Sequence, residues 1–105
     1  MAKKNAVRVT PSTGNVFRDL GFSREESEHL LVRADLLIQV QKAIASRGLK
    51  QAAAAKVLRV TQPSVSDLLR GRIDLFSTHA LIDMLLRLGL GVRLVVKTPR
   101  SKKVA

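Results

Sequence analysis

The stretch "QAAAAKVLRVTQPSVSDLLRG", residues 51–71, leaves this chain few folds to choose from. Four consecutive alanines give 51–58 high helix propensity and a thin body, which permits close backbone approach. The segment "RVT", 59–61, then breaks the run. A second helix follows in which Val65, Leu68 and Leu69 form an i, i+3, i+4 apolar strip. Pro63 fits there only in a first turn, where its missing N–H costs nothing. Either Thr61 caps this helix, or Gln62 does and Pro63 takes the first helical position. Gly71 ends it. Two short helices joined by so tight a turn cross steeply and pack where one is thin, with Ala55 at the crossing and Val60, Val65 and Leu68 as apolar contacts.

The rest of the chain is organised around this unit. Residues 1–22 read as a partly flexible N-terminal arm, with a short helix over 15–22 that Asn15 caps and Gly21 ends. "SREE" at 23–26 is a capping box, and the helix it opens runs to Arg47 and stops at Gly48. Its main stripe is Leu30, Ala34, Leu37 and Ile44, widened by Leu31 and Ile38, with Leu36 and Val40 off the stripe. A last helix, capped by Ser77, runs from Thr78 to Leu88 with Gly89 as its stop. "VRLVVK", 92–97, reads as a lone short strand. The expected fold is all-α, a compact four- to five-helix bundle containing a helix-turn-helix and one short C-terminal β-strand. One domain over 23–97 combines the helix-turn-helix with an assembly surface, and 98–105 is a basic tail.

Composition narrows the function. With 105 residues and three Phe, the core must be aliphatic. The absence of Cys excludes disulfides and thiolate metal sites. No apolar run reaches membrane length and no signal peptide is visible, so the cytoplasm is the expected compartment. His29 and His79 stand apart without a clustered acid, and no glycine motif cradles a phosphate. No catalytic residue, metal site or cofactor is therefore expected. The net charge is +11, and it is uneven: 47–72 carries Arg47, Lys50, Lys56, Arg59, Arg70 and Arg72 against Asp67 alone, and the tails add Lys3, Lys4, Arg8, Lys97, Arg100, Lys102 and Lys103. Cations so placed suit a polyanion, because phosphates that meet them release counterions.

The helix after the turn has a face fitted to such a partner. Gln62, Ser64, Ser66, Asp67 and Arg70 lie on it or at its start. Gln can pair with adenine, Arg with guanine, and Asp can accept from cytosine. Gln51, Thr61 and Ser64 stand near helix N-termini, where side chains and backbone N–H groups hold phosphates. An ordinary surface helix would also be polar on one side. The alanine-rich neighbour, the turn length and the basic flanks favour double-stranded DNA, with an RNA- or ribosome-associated basic protein as the alternative from another class. The last helix and the strand carry more apolar surface than one small domain covers. A homodimer through Leu81, Leu85, Leu86, Val92, Leu94 and Val96 is therefore expected, reading a palindromic operator.

"LKQAAAAKVLRVTQPSVSDLLRG" resembles the helix-turn-helix of the lambda repressor/Cro type. The wider pattern, "TGNVFRDLGFS", "LVRADLLIQVQKAI" and "GRIDLFSTHALIDMLLRLGLGVRLVVK", is similar to HigA-like antitoxins and related short bacterial regulators. The resemblance covers about residues 13–97. It implies a lambda repressor-like bundle, phosphate contacts at Gln51 and Ser64, and base contacts at Gln62 and Asp67. Lys50 stands where that family has Thr or Ser, and Arg59 where it has Gly; both would add phosphate contacts. The resemblance further implies a bacterial repressor that neutralises a RelE-like toxin and represses the promoter they share, with a stand-alone repressor as the alternative. Val16, Phe17, Leu20 and Phe22 are the apolar groups of the arm that such a toxin would engage.

Overall fold

A computed structural model describes residues 6–9 and 20–96 of the chain. The described elements are β1 (Ala6–Val9), α1 (Arg24–Ser46), α2 (Gln51–Leu58), α3 (Gln62–Leu69), a 3₁₀ turn (Ile73–Leu75), α4 (Thr78–Arg87) and β2 (Gly91–Leu94). The four helices and the C-terminal strand are those the sequence predicts. None of the described helices is long and apolar enough to cross a membrane.

Local chemistry sets the helix limits. The Ser23 hydroxyl accepts the Glu26 N–H at 3.1 Å, and the Glu26 carboxylate accepts the Ser23 N–H at 3.3 Å, closing the capping box. Gly48 turns left-handed at φ 62° and ends α1. Thr61 is the cap of α3: its hydroxyl accepts from the Ser64 N–H at 3.2 Å, which puts Gln62 first and Pro63 second in the helix. Ser77 does the same for α4, accepting from the Ala80 N–H at 3.0 Å.

The core is shared by all four helices, with α1 packed chiefly on α4 and α2 on α3. Its fully buried large residues are Leu36, Val40, Leu58, Val65, Leu68, Leu81, Leu85 and Leu88. Each such leucine contributes about 1.5–3 kcal/mol by leaving water, and among the described residues Phe76 is the one buried phenylalanine. The predicted stripe of α1 is shifted. Leu36 and Val40, placed off it, are its centre, joined by Leu37, Ala43 and Ile44; Leu30 and Ala34 are half-buried and Ile38 is exposed. On α4 the buried residues are Leu81, Met84 and Leu85, continued by Leu88, a one-sided stripe in which Leu86 is the outward leucine at 53% exposure.

The predicted single strand has a partner. β1 pairs with β2 in parallel, in the register Ala6–Gly91, Val7–Val92, Arg8–Arg93 and Val9–Leu94. The sheet packs chiefly on α1 and α4. Part of the expected N-terminal arm is therefore a strand of the domain. β2 also begins and ends earlier than predicted, leaving Val96 beyond it and 91% exposed. Of the helix expected over 15–22, residues 15–19 lie outside the described residues, as do Val16 and Phe17; Leu20 and Gly21 form a turn.

Candidate nucleic-acid interface

The α2–α3 pair is held by its small residues. Ala54 and Ala55 are buried at the crossing with α3, while Ala52 and Ala53 face outward. The turn depends on Arg59, which takes a left-handed conformation at φ 60°, ψ 45°, the only positive φ outside glycine among the described residues. That conformation lets the Val60 N–H return to the Ala55 carbonyl at 3.0 Å. It is the geometry for which glycine is the usual choice.

With Val65 and Leu68 buried, the 3.6-residue repeat turns Pro63, Ser66, Asp67 and Arg70 outward, with Gln62 exposed at the helix start. Two of these groups hold each other: Arg70 Nη2 donates to Asp67 Oδ1 at 3.1 Å. The expected guanine reader and cytosine acceptor are thus joined in an ion pair. At 64% exposure of the Arg70 side chain, such a pair is worth under about 1 kcal/mol, so a base edge or phosphate can displace it.

The two helix starts differ. At α3, Thr61 and Ser64 are engaged with one another, the Thr61 hydroxyl donating to Ser64 Oγ at 3.1 Å as well as capping its N–H. Pro63 removes a further donor. The Thr61 and Ser64 hydroxyls therefore already have partners within the chain. At α2, Lys50 is extended and makes no side-chain cap, so the first N–H groups stay open beside exposed Lys50 and Gln51. The α2 start thus keeps more open backbone donors than the α3 start.

Three long-range contacts that residue patterns did not reveal fix this unit in the domain. Gln41 Nε2, on α1, donates to the Leu68 carbonyl at 2.8 Å and reaches Leu69 at 3.5 Å, capping the end of α3. Arg87, on α4, donates to the Leu58 carbonyl at 3.1 Å, capping α2. Arg47 donates to the Leu88 carbonyl, capping α4. A cation at a helix C-terminus also complements the dipole. Arg47 therefore serves the fold, although sequence alone counts it with the basic region around the motif.

The residues expected to join two copies divide. Leu81 and Leu85 are wholly covered by the chain's own core and have no surface to offer a second copy. Val92 is half-buried, while Leu86, Leu94 and Val96 are exposed. Of the residues expected to meet a partner protein, Leu20 is 70% and Phe22 42% exposed, at the start of α1. There Phe22 and Leu30, with Glu26, His29 and Arg33, line a shallow groove.

Two crossed helices, a left-handed turn and a second helix with an open polar face define a helix-turn-helix protein. Residues 16–97 match the family described as "Helix-turn-helix domain", and the chain belongs to that family. It is also similar to a solved structure described as an XRE-family transcriptional regulator, at 29% identity and a TM-score of 0.67, over 76% of this chain and 90% of that one. No curated protein matches the chain.

Proposed function

We propose that the protein is a sequence-specific regulator of transcription that lays α3 in the major groove of duplex DNA. The observation that carries this reading is the pairing of an outward face of Ser66, Asp67 and Arg70, led by Gln62, with an uncapped α2 start that can seat the adjacent phosphate. Lys50 and Arg59, both exposed, add sequence-independent affinity. The test is a pair of variants. Gln62→Ala loses sequence preference, about 1–3 kcal/mol at one or two positions. Lys50→Ala weakens binding to all sequences and flattens the salt dependence. If both bind operator and random DNA as the parent does, α3 is not the reader.

The regulator acts in the cytoplasm as a homodimer on a palindromic operator. Exposed Leu86, Leu94 and Val96 support that assembly. Leu86→Glu dissociates it and removes tight operator binding, as sedimentation and titration would show. A second reading, neutralisation of a RelE-like toxin, is supported by exposed Leu20 and Phe22 beside the groove on α1. Leu20→Ser combined with Phe22→Ser abolishes co-purification with the toxin while operator binding persists. Undiminished co-purification places the toxin surface elsewhere.

A further inference from the structure

The four helices fall into two pairs. α1 packs chiefly on α4 and α2 on α3, and contacts between the pairs are fewer. The first pair carries Leu86, the outward leucine of α4. The second pair is the helix-turn-helix. Beyond the shared apolar core, two side chains cross from the first pair to the second. Arg87 Nη1 donates to the Leu58 carbonyl at 3.1 Å, and Gln41 Nε2 donates to the Leu68 carbonyl at 2.8 Å. Arg47 differs: it joins the end of α1 to the end of α4 and stays within the first pair.

The two acceptors sit at telling places. Leu58 is the last residue of α2, directly before the left-handed Arg59, and Leu68 lies in the last turn of α3. The helix-turn-helix is thus pinned at its turn and again at the far end of α3, and a tilt of α3 against α4 breaks one pin or both. No backbone N–H among the described residues donates to the Leu58 carbonyl. Arg87 enters no ion pair among them, so its guanidinium is held by that carbonyl. The bond is charge-assisted and stands at a helix C-terminus, and both strengthen it. Arg87 also follows Leu86 directly, so this pin starts at the surface proposed for assembly.

We infer that Arg87 is a positioning residue for operator choice. By tying the turn of the helix-turn-helix to α4, it fixes the separation and angle of the two α3 helices in a dimer, and so the half-site spacing that the protein accepts. In a two-fold dimer the spacing of half-sites mirrors the geometry of the protein. One base pair moves a half-site by about 3.4 Å and turns it by roughly 35°, which a pinned unit cannot follow. The inference rests on the homodimer and on α3 as reader, both proposed above. It concerns selection among spacings and not base reading within one half-site, because the Arg87 guanidinium faces a carbonyl of the chain itself.

A random-sequence duplex library is enriched with the full-length parent. The palindrome obtained is remade with one base pair added at its centre, with one removed, and as a single half-site. The parent prefers the original spacing. Arg87→Met keeps the stem and removes the donor. It shrinks that preference about tenfold, the loss of one hydrogen bond from a charged group, and leaves half-site affinity as in the parent. Arg87→Lys keeps a donor and retains most of the preference. Arg47→Met removes an equal charge and a helix cap inside the α1–α4 pair; it lowers Tm and keeps the spacing preference. Arg87 is exposed and ends its helix, so its variants fold, as circular dichroism would check. Parent-like spacing preference in Arg87→Met overturns the inference. So does an equal loss on palindrome and half-site, the mark of a purely structural role, and so does an equal loss of preference in Arg47→Met. A parent that enriches no palindrome overturns the dimeric reading, and the inference with it; the parent alone therefore tells the two failures apart.

Discussion

Replacing Arg59 by glycine should stabilise the protein. Arg59 sits at φ 60°, ψ 45°, where an L-residue's Cβ crowds the following carbonyl at a cost of about 1–2 kcal/mol. Glycine removes that crowding but gives the unfolded chain more freedom, returning about 0.4–1 kcal/mol. The difference is a gain of about 0.5–1 kcal/mol, since the exposed Arg59 side chain enters no salt bridge among the described residues. For a domain of this size that raises Tm by about 3–6 °C. Thermal melts of Arg59→Gly, Arg59→Asn and Arg59→Gln read the effect. Asn also tolerates the left-handed region and should fall between glycine and the parent; Gln removes the charge, keeps the strain and should melt near the parent. All three lose the same cation and should weaken DNA binding alike. A glycine variant that melts at or below the parent would refute the assignment of strain to this turn.

Gln41→Ala should destabilise by about 1–3 kcal/mol in urea unfolding, because the Leu68 carbonyl loses its part-buried donor; selectivity between operator and random DNA should fall with it, and an unshifted midpoint would count against the cap. Asp67→Asn should free Arg70 from its ion pair, tightening binding to random duplex several-fold in competition assays while lowering selectivity; unchanged random-sequence binding would mean the pair does not restrain Arg70. Burial raises the Asp35 carboxyl above its ordinary value of 3.8, so the folded state holds that proton more firmly than the unfolded chain and stability falls as pH rises through the range just above 3.8. Asp35→Asn should flatten that part of the pH–stability curve and melt higher at neutral pH; an unaltered profile would remove Asp35 as its source.

What could be read from residues alone was whatever neighbours in sequence decide. Ser23, Thr61 and Ser77 start their helices, and Gly48, Gly71 and Gly89 turn left-handed after theirs, because caps are made within three or four residues. The open face of α3 followed from Val65 and Leu68 for the same reason. The phase of α1 did not: its apolar groups nearly encircle it, and only the positions of α3 and α4 decide that Leu36 and Val40 go inward while Ile38 stays out. Gln41, Arg87 and Arg47 escaped because their acceptors lie 27 to 41 residues away. "AVRV" is not legible as a strand on its own, because four residues of alternation define one only once a partner strand is known. Asp67 and Arg70 each have the chemistry to meet a base, but three residues apart on a helix they also reach each other.

The ladder between β1 and β2 joins Ala6 to Gly91, and that separation governs when it forms. Closing a loop of such length carries an entropic term of about 4 kcal/mol from the logarithm of its length alone, with only the backbone bonds of a four-residue ladder to offset it. The helices, whose contacts are more local, can assemble before this closure. The sheet is therefore expected to be the last element to close during folding and the first to open in the native state, with the amides of Val7 and Val92 exchanging with solvent ahead of those of α1 and α4.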